Sequence, residues 1–335
     1  MVTIRDVSQK AGVSRSTASR VIAKNGYVSE DARKAVETAI EQLGYRPNAL
    51  AQGLRSSRSN TIGGVVVNIA SPFYGQMISG AQQICRANGK FILVSSGYAD
   101  QAEESRAIIE LVDRSCDGLV LYLENPMRED VVEIIRKSEL PVVTIGWSDV
   151  PVARGSVKID NYAGAYMQAR HLLERGHRSM IHLGGLLSYG DARDRWRGIM
   201  TALADFDLSD SDIYVEHGEF DESFGYEATR RLIKTLPPFT AILAGDDDIA
   251  AGAMLALKRE GKRCPDDISV IGFDDNFHAR HLTPSLTTIR QPMVEAGRLA
   301  VEMLLQILNQ EGSAVEPILL PTLLIERDSV RTLTP

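Results

Sequence analysis

Apolar positions in the first 46 residues recur at helical spacing. In "TIRDVSQKA", Ile4, Val7 and Ala11 fall on one face behind Thr3, which predicts a short helix capped by that threonine. "GVS" turns the chain, and Ser14 caps a second helix that runs through Ile22. A third helix opens at Ser29 with Glu30 and Asp31 in its first turn and stops at Gly44; Ala32, Val36, Ala39, Ile40 and Leu43 form its apolar stripe. The second helix carries Ala18, Val21 and Ile22 on one side and Arg15, Ser16, Ser19 and Arg20 on the other. Such a polar face is ordinarily just solvated. Two short neighbouring helices and a tight turn at Gly12 turn the reading toward a helix-turn-helix, whose second helix enters a major groove.

Beyond "GYRP" the segment "NALAQGLRSSRSN" is too short and too interrupted, by Gly53, to hold a helix without a partner. From residue 61 the period changes. Apolar runs "TIGGVVVN", "KFILVSS", "GLVLYL", "PVVTIG", "SMIHLG", "TAILAG" and "ISVIGF" read as strands, with helical stretches such as 73–88, 101–115, 161–175, 222–236 and 248–260 between them. Alternation of this kind predicts an α/β body with parallel sheets, and its length predicts two lobes. The expected organisation is a helical headpiece over 1–46, a linker over 47–59 and a two-lobed core over 60–335.

Charge sharpens this division. Residues 1–60 hold ten Lys and Arg against five Asp and Glu, so a head of +5 sits on a remainder of -12 within a chain of net charge -7. An anionic polymer has one place to bind. Cys85, Cys116 and Cys264 have no metal-ligand spacing and suit reduced thiols in a cytoplasmic protein. Residues 1–10 are too polar for a secretory signal, and no run of eighteen apolar residues exists to span a membrane.

Ligands of parallel sheets sit beyond the carboxyl ends of the strands. The residues there are Phe73, Tyr74, Trp147, Tyr189, Asp191, Arg195, Phe220, Asp246 and Asp274. Aromatic faces stack on sugar C–H surfaces, while carboxylates and a guanidinium bond hydroxyls, so the set suits a polyhydroxylated ligand. A post-strand aspartate is also a common helix cap, and Phe73 also fits a core. No G-x-S-x-G elbow, Walker loop or G-x-G-x-x-G occurs, so an enzyme is not expected. The three carboxylates of "GDDDIA" are expected to cap a helix rather than bind metal, and His171 and His177 to be polar surface at a helix end. No cofactor is expected.

Taken in order, "TIRDVSQKAGVSRSTASRVI", "NGYVSEDARKAVETAIEQLGYRPNALAQGL", "LLERGHRSMIHLGG", "AGDDDIAAGAMLALKREGKRCPDDISVIGFDD" and "TPSLTTIRQP" resemble the LacI/GalR family of bacterial transcription regulators over essentially the whole chain. The resemblance implies a helix-turn-helix headpiece, a hinge helix and a core shaped like periplasmic sugar-binding proteins. It further implies a homodimer on pseudo-palindromic double-stranded operator DNA, controlled by a small molecule in the core. By position, Arg15, Ser16 and Arg20 match residues that read base edges, and Thr3, Ser14 and Thr17 match residues placed near phosphates. Leu54 matches a hinge leucine that wedges into the minor groove. Phe73, Asp191, Arg195, Phe220, Asp246 and Asp274 match effector-contacting positions. The purine-responsive branch has an arginine where Tyr189 stands, which points to a sugar or glycoside effector, with a non-sugar metabolite such as a purine as the alternative. Many sugar-responsive members carry an aspartate where Gly146 stands. The C-terminal "LLIERDSVRTLTP" lacks a leucine heptad tail, so no tetramer-forming extension is expected.

Overall fold

The computed structural model describes residues 2–23, 25–45, 59–146, 150–309 and 314–333. They fall into two compact units, one within Met1–Thr61 with Ser115–Asp117, the other within Ile62–Arg114 and Gly118–Pro335.

The first unit is a small helical domain built as its caps dictate. Helix α1 (Ile4–Lys10) begins at Thr3, which forms a reciprocal capping box with Asp6. Helix α2 (Arg15–Ile22) begins at Ser14, whose hydroxyl accepts from the Thr17 amide at 3.1 Å. Helix α3 (Glu30–Leu43) begins at Ser29 and ends at Gly44, whose φ of 61° is the left-handed cap that a glycine adopts without strain. Val7, Ala18, Val21, Val36 and Ala39 meet in one small core, with Ile4, Ala11, Val13, Ile40 and Leu43 packed around it.

The second unit holds two six-stranded sheets. The strands and helices of its first half are β1 (Thr61–Val66), α4 (Pro72–Ala87), β2 (Phe91–Ser96), α5 (Gln101–Asp113), β3 (Gly118–Leu121), α6 (Glu129–Ser138), β4 (Val142–Ile145) and β5 (Ala153–Ile159). Those of the second half are α7 (Asn161–Glu174), β6 (Met180–Gly185), α8 (Gly190–Ala204), β7 (Tyr214–Gly218), α9 (Glu222–Thr235), β8 (Ala241–Ala244), α10 (Asp247–Arg259), β9 (Ser269–Asp274) and β10 (Thr287–Arg290). Helix α11 (Met293–Asn309) and the short strands β11 (Ile318–Leu320) and β12 (Leu323–Ile325) complete it.

The first sheet has the order β11-β5-β4-β3-β1-β2 and the second β12-β10-β9-β8-β6-β7. Pairing is parallel along β11-β5-β4-β3-β1 and along β10-β9-β8-β6-β7, as befits crossovers through helices, and antiparallel between β10 and β12. The chain therefore passes between lobes three times, at 159–161, 290–293 and 320–323. Two of these passages are tied together, since the Asp160 amide donates to the Leu320 carbonyl at 2.9 Å. Helix α11 returns to the first lobe and crosses α4 so closely that a Cβ at Gly80 would lie 1.9 Å from the Val294 carbonyl oxygen, and one at Gly297 equally close to that of Met77.

All seven apolar runs read as strands do form strands, with ends shifted by at most two residues. Two expectations need correction. His171 and His177 are buried, not surface polar groups: His171 shares its ring nitrogen with Arg175, while His177 bridges the Thr240 hydroxyl at 2.9 Å and the Arg331 carbonyl at 3.0 Å. Burial holds both below their ordinary pKa, His171 at about 4. The three aspartates of "GDDDIA" also differ in role. Asp246 alone caps α10 with its side chain, through the Ile249 amide at 2.7 Å, whereas Asp247 is fully buried and accepts from the Thr288 hydroxyl and the Asn276 amide. Asp248 accepts from the Asn276 side chain.

Candidate functional site

The polar face of α2 is open to solvent. Arg15, Ser16 and Arg20 are exposed and Thr17 is half-buried, while Ala18 and Val21 anchor the helix from behind. Among the described residues neither Arg15 nor Arg20 is held in an ion pair, so both guanidinium groups keep their donors for a partner. Ser14, Ser16 and Thr17 form a hydroxyl cluster at the helix N-terminus, with Oγ–Oγ separations of 2.7 and 2.9 Å from Ser14. Amide donors and the positive end of a helix there favour a phosphate. Thr3 stands at the N-terminus of α1, its hydroxyl donating to Asp6 at 2.8 Å. Leu54, the expected minor-groove wedge, lies outside the described residues.

In the second unit the carboxyl ends of both sheets line one cleft of about 1480 Å³. Phe73, Tyr74, Asp191, Arg195, Phe220, Asp246 and Asp274 all reach it. Trp147 lies outside the described residues. Phe73 and Tyr74 stand at the start of α4, and their rings meet edge-on at 5.0 Å, so one wall is aromatic. Phe73 serves both readings, since it is also part of the first lobe's buried core. Across the cleft Phe220 lies nearly parallel to Tyr189 at 6.1 Å, and the Tyr189 hydroxyl donates to Glu219 at 2.8 Å.

Arg195 is the buried cation of this cleft, and the protein already uses much of it. Its Nε donates to Asn161 Oδ1 at 2.8 Å, one terminal nitrogen to the Gly245 carbonyl at 2.6 Å, and the other lies 3.4 Å from Asp274 Oδ1. Its guanidinium also covers the Phe273 ring at 3.9 Å. Asp274 further accepts from the Gln291 side chain at 2.6 Å and has a φ of 115°, a strained conformation for a residue with a side chain. Strain of this kind persists where the surroundings enforce it, commonly at a binding site. Burial pushes the Asp274 carboxyl up to about 7 against the pull of Arg195. Burial, and then the charge of Asp274, raises Asp246 well above its ordinary range.

The cleft also holds groups that went unnamed in the sequence, among them Tyr122, Glu124, Glu219, Lys258, Lys262 and Arg263. Tyr122 belongs to the run "GLVLYL", read only as a strand, and its hydroxyl donates to Asp191 Oδ2 at 2.6 Å across the two lobes. Glu124 lines the same region, and burial followed by the charge of Asp191 lifts its carboxyl to about 8. Glu219 follows β7 as Asp274 ends β9, so its position past a strand end was a usable signal. The three cysteines are free, and no group of His, Cys, Asp and Glu among the described residues suits a metal ion. No described helix is long and apolar enough to cross a membrane.

Comparison with known proteins bears on both sites. Residues 3–48 match the model of bacterial regulatory proteins of the lacI family, and residues 169–330 match a periplasmic binding protein-like domain. The chain is 35% identical over 334 residues to the HTH-type transcriptional regulator GalR of Escherichia coli (strain K12), covering 99% of this chain and 96% of that one. It is 33% identical to the HTH-type transcriptional repressor PurR of Pectobacterium carotovorum subsp. carotovorum (strain PC1), covering 98% and 97%. A crystal structure of the lac repressor dimer bound to operator and the anti-inducer ONPF superposes with a TM-score of 0.87 at 28% identity, covering 98% of this chain and 99% of that one.

A helix-turn-helix headpiece and a two-lobed α/β core with a polar cleft thus define a DNA-binding transcription regulator, not an enzyme. The chain belongs to the lacI family of bacterial regulatory proteins.

Proposed function

We propose that the protein is a repressor that binds a pseudo-palindromic operator as a homodimer and is controlled by a neutral sugar or glycoside in the cleft. Arg15, Ser16 and Arg20 read base edges, Thr3, Ser14 and Thr17 engage phosphates, and Leu54 wedges into the central minor groove. A single headpiece offers few base contacts, so specificity requires two of them at symmetric half-sites. The lac repressor structure, a dimer on operator, supports this arrangement.

The observation that carries the sugar reading is the set of carboxyl groups that the cleft places between aromatic walls. Asp191, Asp246, Asp274, Glu124 and Glu219 line the cleft with one buried guanidinium, already engaged with Asn161, Gly245 and Asp274, and with the exposed Lys258, Lys262 and Arg263. Carboxyl groups accept from hydroxyls, and the walls of Phe73, Tyr74 and Phe220 cover apolar C–H faces. The identity to PurR favours the other effector class, so a purine panel belongs in the test. Calorimetric titration of the protein with neutral sugars, glycosides and purines decides between them. A sugar at about 100 times its Kd should also stabilise the fold by ~2.7 kcal/mol. Tight binding of a purine and none of a sugar overturns the reading.

A further inference from the structure

We infer that Tyr122 is a specificity-determining positioning residue of the cleft, its hydroxyl fixing the Asp191 carboxylate and its ring filling the space above Gly146. The inference deepens the sugar reading and rests on it.

Tyr122 follows β3 in the first lobe, and Asp191 stands in the first turn of α8 in the second. The bond of 2.6 Å between them is one of the few direct side-chain links across the cleft among the described residues, and its length is that of a charge-assisted hydrogen bond. The ring cannot swing freely. It meets Tyr74 edge-on at 5.1 Å and Phe73 edge-on at 6.3 Å, and the residue is buried. Gly146, just past the neighbouring strand β4, has a φ of 77°, and a Cβ there would lie 2.8 Å from Cε2 and 3.0 Å from Cζ of Tyr122. The glycine therefore leaves the space that the tyrosine ring takes.

Two consequences follow for a ligand. Burial, and then the charge of Asp191, holds the phenol well above its ordinary pKa, so it stays a donor at every physiological pH. With one oxygen of Asp191 accepting from that donor, the carboxylate plane is set, and a sugar hydroxyl can meet it from a restricted direction. Directional acceptors of this kind separate epimers, because the wrong epimer leaves a buried polar group poorly paired.

The test is calorimetric titration of the full chain with D-glucose, D-ribose and D-xylose, each accompanied by its single-carbon epimers and methyl glycosides. Wild type, Tyr122→Phe and Gly146→Ala are compared, the second variant keeping the hydroxyl but pushing the ring aside. Wild type should separate one epimer pair by about tenfold or more, in line with one charge-assisted bond. In both variants that separation should fall below about threefold, with the preferred sugar about tenfold weaker and discrimination at the other carbons retained. Uniform weakening of every sugar, or unchanged discrimination, overturns the inference and leaves the sugar reading standing. A wild type that binds none of these sugars overturns both.

Discussion

Asp274 ends β9 in a strained backbone conformation with Gln291 and Arg195 both reaching its carboxylate. Under the sugar reading its ionised form accepts ligand hydroxyls, and burial places its ionisation near pH 7. Effector affinity should therefore rise by about tenfold in total between pH 6 and 8, because the ionised carboxylate is the stronger acceptor. The same raised pKa has the opposite sign for folding. Its contribution to stability is complete below the ordinary carboxylate pKa and is lost as pH rises through about 7 in the ligand-free protein. Asp274→Ala should lower effector affinity at least about tenfold, the loss of one or two charge-assisted bonds, and titration of the variant at pH 8 checks it. The cleft residues named from the sequence were legible because they follow strand ends, whereas Lys258, Lys262 and Arg263 on the later part of α10 and beyond it were not. Tyr122 was not, since an aromatic inside an apolar run carries no mark that its hydroxyl leaves the core.

At the scale of elements, legibility followed local chemistry. Helices α1 to α3 announced themselves through Thr3, Ser14, Ser29 and Gly44, whose caps are satisfied within a turn. Strands β5 and β10 to β12 did not. In β5 an inward position is Gly155, where a Cβ would meet Met303 Sδ at 2.3 Å, so the alternation of apolar residues is broken. In β10 the buried Thr287 and Thr288 look polar until their partners, the Arg327 amide and Asp247, are in place. Strands β11 and β12 are three residues each, too short for a period. The cap on α2 gives a direct expectation: Ser14→Ala should destabilise the headpiece by about 1 kcal/mol, read from the thermal unfolding of residues 1–46 by amide exchange. In the second lobe, His182 on β6 stacks on Trp196 of α8 at 5.4 Å, and burial, then His217, pushes it down to about 3. A histidine depressed in this way adds stability above pH 6.5 that is lost as pH falls toward its folded value. Between pH 7 and 5 wild type should lose about 2 kcal/mol more than His182→Gln, because only the wild-type unfolded chain gains that proton. Equal losses in denaturant titrations at the two pH values would count against a neutral buried His182.

At the scale of the molecule, +5 on residues 1–60 and -12 on the rest confine attraction for a polyanion to one end of the chain. Family and fold were legible over nearly the full length because the helix caps, the alternation of apolar runs with helices and the quoted motif stretches agree with one another. The effector was not, because a cleft records which donors and acceptors it offers and many neutral polyols answer them. Arg15→Ala and Arg20→Ala should each weaken specific DNA binding by about 1–3 kcal/mol if they read bases, and by a uniform amount across sequences if they hold only phosphates. The central claim is that ligand in the cleft controls DNA on the headpiece. Its most direct measurement selects genomic fragments bound by the full chain, then follows fluorescence anisotropy of the best fragment while sugars and purines are added. The account predicts two inverted half-sites in the selected DNA and a neutral sugar that shifts its affinity by about tenfold or more. Enrichment of no sequence, or a shift with purines and none with any sugar, would contradict it.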